Sequence, residues 1–197
     1  IVHDRTQGTC VLPAETALSY GFTGPNLRAS GVAYDLRKDN PYYHYEAFDF
    51  TVPVGRKGDI YDRMMIRFEE IFESIKIIRQ AVKLIPEGPV FVTDHRVALP
   101  PKDQVYNKIE GLANHFKLIF DGIKVPAGQW YDSYEAANGE LGFHFVSDGS
   151  GKPYKCKVRP PCFYAMGGFH EMVEGEMIAD AVINLGSINI IGGELDR

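Results

Sequence analysis

The stretch spanning residues 59–85 constrains the fold most. Met64, Phe68, Ile71, Phe72, Ile75, Ile78, Val82 and Ile85 recur at three- and four-residue spacing, which gathers them on one face of a helix. Asp59 stands in the N-cap position, Asp62 follows it within the first turn, and Pro86 closes the run. Glu69, Glu70, Glu73 and Lys76 fall opposite the apolar stripe, with Arg67 at its border. A helix so long and so asymmetric is expected to pack one side and to leave the other wet or facing a partner.

Shorter patterned segments surround it. Residues 14–20 suit a short helix, 21–25 a Gly-rich turn, and 35–45 a polar, aromatic loop. Residues 48–54 alternate with period two, which predicts a strand closed by Gly55. A second helix is expected over 105–120, with Ile109, Leu112, Phe116 and Phe120 on its apolar side. Residues 141–146 and 154–159 flank a turn-rich segment, the pattern of a β-hairpin. A third helix is expected over about 170–185, followed by a Gly-containing tail over 186–197. The order predicts a helix-dominated α+β domain covering 1–197, without a linker or repeat.

Several chemistries are excluded by residue type and spacing. A net charge of −5 provides no basic field, so a nucleic-acid partner is not expected. Charged residues interrupt every apolar run before the roughly 18–20 residues that cross a bilayer. Cys10, Cys156 and Cys162 form neither a disulfide framework nor a C-x-x-C pair, and the six histidines show no metal-binding spacing. The glycine-containing turns at 21–25 and 148–152 lack phosphate-loop spacing. No nucleophile elbow is present, and Cys162, after two prolines, has no base visible in the sequence. Ionisable residues on irregular, Gly-flanked backbone remain: Arg28, Asp35 and Arg37, and the terminal Glu194 and Arg197.

Whole motifs carry a resemblance. Gly21-Phe22-Thr23-Gly24-Pro25-Asn26-Leu27-Arg28, Ala33-Tyr34-Asp35-Leu36-Arg37 and Asp59-Ile60-Tyr61-Asp62-Arg63 lie in the first half of the chain. His115-Phe116-Lys117-Leu118, Val146-Ser147-Asp148-Gly149-Ser150-Gly151-Lys152-Pro153, Val158-Arg159-Pro160-Pro161 and Gly193-Glu194-Leu195-Asp196-Arg197 follow in order. The sequence resembles the 49-kilodalton, D-type, quinone-site subunit family of respiratory NADH:quinone oxidoreductase, complex I, over nearly its whole length. The family polypeptide is about twice as long, so the chain is expected to be its C-terminal half, in keeping with a first residue, Ile1, that is not Met.

The resemblance implies the C-terminal part of a fold like that of nickel-iron hydrogenase large subunits. The tail has no cysteine, so no metal is expected on this chain, and an energy-converting hydrogenase subunit is disfavoured. The resemblance also implies a quinone pocket against a neighbouring B-type subunit that holds a [4Fe-4S] cluster, with no cofactor bound by this chain. Other peripheral-arm and membrane-arm subunits are implied as partners. The location implied is peripheral, on the cytoplasmic face of the membrane or the matrix side of a mitochondrion. The family's tail pattern of Asp, Val, Glu and Arg falls on Asn189, Ile191, Glu194 and Arg197. Asn189 and Ile191 are expected to line the pocket, Glu194 and Arg197 to tune protonation, and Arg28, Asp35 and Arg37 to give charged support. Asn189 removes the charge that Asp carries, which argues against direct proton transfer there. The competing expectation is an assembly scaffold without a part in the chemistry. Alone, the chain is expected to be redox-inactive and to expose apolar surface that could drive dimerisation.

Overall fold

The computed structural model describes residues 1–94 and 96–196. Five helices open the chain: α1 (Val2–Thr6), α2 (Ala14–Ser19), α3 (Gly24–Ala29), α4 (Leu36–Asp39) and the 25-residue α5 (Ile60–Leu84). They are followed by α6 (Lys102–Asn107), α7 (Ile109–Phe120) and the strands β1 (Gly128–Ala136), β2 (Gly139–Ser147) and β3 (Lys155–Arg159). The helices α8 (Pro161–Gly167), α9 (Phe169–Val173), α10 (Ile178–Ile188) and α11 (Gly192–Leu195) close it. The three strands form one antiparallel sheet in the order β1-β2-β3. This is the helix-dominated α+β class that the sequence predicts.

The residues gather into two compact units. One comprises 1–84, 133–142 and 158–197, and the other 85–132 and 143–157. In the first, Cys10, Leu12, Ala17, Phe22, Leu27, Ile60, Ala165, Met172 and Ile188 form the apolar core. Gly24 and Gly139 hold the start of α3 against the start of β2: both have positive φ, and a Cβ on Gly24 would overlap the Cα of Gly139. Arg159 bonds both sides of that contact, donating to the Gly21 carbonyl (2.6 Å), the Glu140 carbonyl (2.7 Å) and Thr23 Oγ1 (3.0 Å).

Asp59 caps α5 as expected. Its Oδ1 accepts from the Asp62 N–H at 2.8 Å, and its Oδ2 accepts from the Gly8 N–H at 2.8 Å. Asp62 turns back to accept from the N–H groups of Arg56 and Lys57, which folds the preceding loop onto the helix.

The packed face of α5 is not the apolar stripe. Phe68, Ile71, Phe72, Ile78 and Val82 are each more than half exposed, whereas Ile60, Arg63, Ile66 and Ile77 are buried. Arg63 and Arg67, one turn apart, lie on the inward side. Arg63 donates to the carbonyls of Gly58 (2.6 Å) and Cys10 (3.0 Å), to Asn184 Oδ1 (2.8 Å) and to Ser187 Oγ (3.0 Å). Burial lowers its pKa to about 10, so it stays charged at neutral pH, held by neutral oxygens of the α1–α2 loop, of the loop before α5 and of α10. Periodicity finds the apolar face, but it cannot show which face the rest of the chain can saturate with acceptors.

Other expectations are corrected. Residues 48–54 are extended and alternate in burial, with Phe50 inward, but among the described residues no strand pairs with them. Side chains of α5 take the place of a neighbouring strand: the Gln80 amide bonds both the N–H (2.9 Å) and the carbonyl (2.7 Å) of Asp49, and Glu73 accepts from the Thr51 N–H (2.9 Å). The 35–45 loop contains α4, capped by the Asp35 side chain. The 105–120 helix is two helices, because Lys108 is extended and Gly111 lies against the Gln104 carbonyl closer than any Cβ allows. The 170–185 helix is likewise broken by extended backbone at Glu174 and Met177, and α10 runs on to Ile188, inside the expected tail. The expected hairpin stands as β2 and β3. The strand β1 and the helix α8 were not expected: β1 shows no clean alternation of burial, and the Pro160-Pro161 pair that opens α8 reads in sequence as a break.

Candidate functional site

Arg28 lies in the last turn of α3 with only 1 % of its side chain exposed. Its Nε and Nη2 donate to Glu70 Oε1 of α5 at 2.9 and 2.5 Å. Its Nη1 donates to Glu135 Oε1 of β1 at 2.8 Å and to the Tyr34 carbonyl at 2.9 Å, and it stands 3.6 Å from Asp35 Oδ2. Asp35 is fully buried and does two things at once. As the N-cap of α4 it accepts from the Arg37 N–H at 2.9 Å, and its two oxygens also take the Arg37 guanidinium at 2.9 and 2.6 Å. The three supporting residues expected from sequence, Arg28, Asp35 and Arg37, are thus one cluster, and the fold adds Glu70 and Glu135 to it.

Environment separates the two innermost carboxylates. Burial pulls both upward. At Asp35 the hydrogen bonds from Arg37 and the charges of Arg28 and Arg37 outweigh burial, so its pKa falls below the usual value. At Glu135 burial wins over Arg28, with the Asp35 charge adding to the rise, so its pKa lies above the usual value.

A cleft of about 470 Å³ opens beside the cluster, lined by Arg28, Arg37, Glu70, Glu135, Arg67 and Asn189 among others. Arg67 donates to the Ile188 carbonyl (2.9 Å) and Asn138 Oδ1 (3.1 Å), with a longer bond to Asn26 Oδ1 (3.4 Å). Burial lowers its pKa.

Asn189 brings the tail to the cleft. It ends α10 in the left-handed conformation, φ 60°, which Asn tolerates better than most side chains. Its Nδ2 donates to Asn138 Oδ1 at 2.9 Å while Asn138 Nδ2 donates back to its carbonyl at 2.9 Å and to Cys162 Sγ at 3.4 Å. The Asn138 Oδ1 that Asn189 bonds also accepts from Arg67. Ile191 lies two residues on, 47 % exposed, as the N-cap of α11. Glu194 Oε2 accepts from the Cys162 N–H at 2.9 Å, a carboxylate set on the first turn of α8. Asn189 therefore lines the cleft beside the cluster, whereas Glu194 is engaged at α8. Arg197 lies outside the described residues.

Glu70, Glu135 and Arg67 were missed as site residues. Arg67 and Glu70 are one turn apart on α5, a signal that sequence could have offered. Glu135 lies in a strand without a readable pattern and offered none. A [4Fe-4S] cluster needs four thiolates. The three cysteines do not fit one: Cys10 and Cys162 are buried beside the carbonyls of Asp180 and Asn189 respectively, and Cys156 is exposed on β3.

Comparison with known proteins defines the class. The family of the respiratory-chain NADH dehydrogenase 49 kDa subunit matches residues 1–197, and the chain belongs to that family. Among its relatives, the D-type subunit of NADH-quinone oxidoreductase from Myxococcus xanthus is 54 % identical, aligned over 98 % of this chain and 47 % of its own length. The protein of the same name from Pelobacter propionicus is 55 % identical over 98 % and 48 %. The C/D-type subunit of NADH-quinone oxidoreductase from Bdellovibrio bacteriovorus is 54 % identical over 98 % and 34 %. The chain thus spans about half the length, or less, of the curated relatives it matches.

Proposed function

We propose that this chain is part of a peripheral-arm subunit of a respiratory NADH:quinone oxidoreductase, where it supplies walls and charges to the quinone-reduction site. Electrons reach that site from a [4Fe-4S] cluster held by the neighbouring B-type subunit, and this chain binds no cofactor itself. The observation that carries the reading is the cleft that Asn189, from the tail, and the buried Arg28 cluster both line. Reducing a quinone takes up protons as well as electrons, so its site needs ionisable groups beside space for an apolar ring. Arg28, Arg37 and Arg67 are cations suited to a site of low dielectric, because guanidinium keeps its proton there.

Attachment to the membrane through other subunits fits the helices. Among the described residues none is long and apolar enough to cross a bilayer. The outward apolar stripe of α5 fits a chain that works within a larger assembly.

A second reading has its own support. The bond from the Cys162 N–H to Glu194 makes Glu194 a helix-positioning group, as an assembly role would require. Replacing Glu194 or Arg197 in the complete enzyme separates the two. Loss of NADH:quinone turnover with artificial-acceptor turnover retained supports the quinone site. Poor assembly with normal specific activity in what assembles supports the scaffold. Full retention of both activities removes these two residues from the site.

A further inference from the structure

The cleft wall holds a carboxylate that the tail-centred reading leaves idle. Two acids, Glu70 and Glu135, share the single guanidinium of Arg28, while Asp35 is bonded on both oxygens by Arg37. The Arg28 group therefore carries one negative charge more than it neutralises. Arg67, lining the same cleft, is the balancing cation, and its hydrogen bonds run to neutral oxygens of Asn26, Ala137, Asn138 and Ile188. Such an arrangement can hold or release one proton without opening the cluster, since Arg28 keeps a carboxylate partner in either state.

The proton's place is set by the bonds each acid receives. Asp35 accepts three short bonds from Arg37, and Glu70 accepts two from Arg28. Glu135 accepts one short bond, from Arg28, and one of 3.4 Å from the Leu36 N–H, with its side chain 3 % exposed. It receives the fewest short bonds of the three, and burial favours its neutral form. Arg28 faces it from α3, Asp35 and Arg37 from α4 and its cap, and Glu70 and Arg67 of α5 line the same cleft. Tyr34 and Tyr42 complete the surround: Tyr42 Oη accepts the Glu135 N–H at 3.0 Å, and Tyr34 Oη lies 3.4 Å from Glu140 Oε2.

We propose that Glu135 is a proton-exchange group of the cleft, giving a proton to an oxygen of a reduced quinone and regaining it from water at the cleft mouth. The O–H bond of the Glu135 carboxyl breaks, an O–H bond forms on the quinol, and the resulting carboxylate is held by Arg28. One of the two protons of quinol formation comes from this side chain, and no electron passes through it. The inference rests on the quinone-site reading above.

The test uses the complete NADH:quinone oxidoreductase carrying Glu135→Gln or Glu135→Asp. Quinone turnover is normalised to artificial-acceptor turnover across pH, and redox-induced infrared difference spectra are recorded in the carboxylic C=O region. Glu135→Gln is expected to cut normalised turnover about 100-fold, in line with loss of a positioned proton donor, and to lose a carboxylic band. Glu135→Asp is expected to keep a fall in turnover toward alkaline pH and to shift the band. If the Gln variant fails to assemble, the Asp variant carries the test, and an unshifted band overturns the proposal. So does a Gln variant with parental turnover, pH profile and spectrum, or equal loss of both activities in both variants. Ser74 of α5 also lines the cleft, so Ser74→Trp, which places an indole there, distinguishes the two levels: parental quinone turnover in it refutes the quinone-site reading itself. Sensitivity there with a silent Glu135→Gln refutes only the proton-exchange role.

Discussion

Replacing Arg28 by Gln should be the most damaging single change in the first unit, and its cost should depend on pH. The substitution removes the cation from Glu135 and Glu70, whose side chains are 3 % and 17 % exposed, and leaves Asp35 with Arg37 alone. Breaking a buried pair from one side costs about 3–5 kcal/mol. At roughly 1–2 °C per kcal/mol for a polypeptide about twice this length, the melting midpoint should fall by about 3–10 °C at neutral pH. In the parent, Glu135 binds its proton more tightly folded than unfolded, so its contribution is full below the ordinary Glu range and fades as pH rises through the raised value. Asp35 runs the other way, contributing above the ordinary Asp range and losing that contribution as pH falls through its lowered value. Without Arg28, Glu135 is pushed further up, so the deficit should be largest at neutral and alkaline pH and shrink on mild acidification. Thermal unfolding of the full-length polypeptide at several pH values, with Glu135→Gln and the double variant closing a mutant cycle, reads both effects. A midpoint within about 1 °C of the parent at every pH, less than about 1 kcal/mol, would refute the reasoning.

Other substitutions probe the scaffold around the site. Asp59→Ala removes the cap of α5 and the partner of the Gly8 N–H, and should destabilise by about 1–2 kcal/mol in the same thermal assay; an unchanged midpoint would deny Asp59 its capping role. Cys10, buried and pushed up to about 11, and Cys162, buried and also raised, should resist iodoacetamide at mildly alkaline pH, whereas the exposed Cys156 reacts. Peptide mass mapping checks this, and labelling of Cys10 ahead of Cys156 would contradict the packing described.

Elements are legible in the sequence where local chemistry decides structure. Asp59 capping α5, the hairpin of β2 and β3, and the short α2 follow from patterns that need no distant partner. The misassigned segments share one cause, since in each the deciding contact comes from far along the chain. Residues 48–54 alternate like a strand, but Gln80 and Glu73 of a helix take their backbone groups. The apolar stripe of α5 is real, and it is carbonyls at Cys10, Gly58 and Ile188 that draw Arg63 and Arg67 inward instead. The site was half visible for the same reason: Arg28, Asp35 and Arg37 stand close in sequence, whereas Glu70 and Glu135 reach them only through the fold.

The cleft between the Arg28 cluster and Asn189 is where the quinone is proposed to bind. That placement is tested most directly by the ratio of NADH:quinone to NADH:artificial-acceptor turnover in the complete enzyme carrying Ser74→Trp. The ratio should fall about tenfold or more, the equivalent of about 1.4 kcal/mol, while artificial-acceptor turnover stays at the parental level. A parental ratio in a fully assembled variant would place the quinone elsewhere.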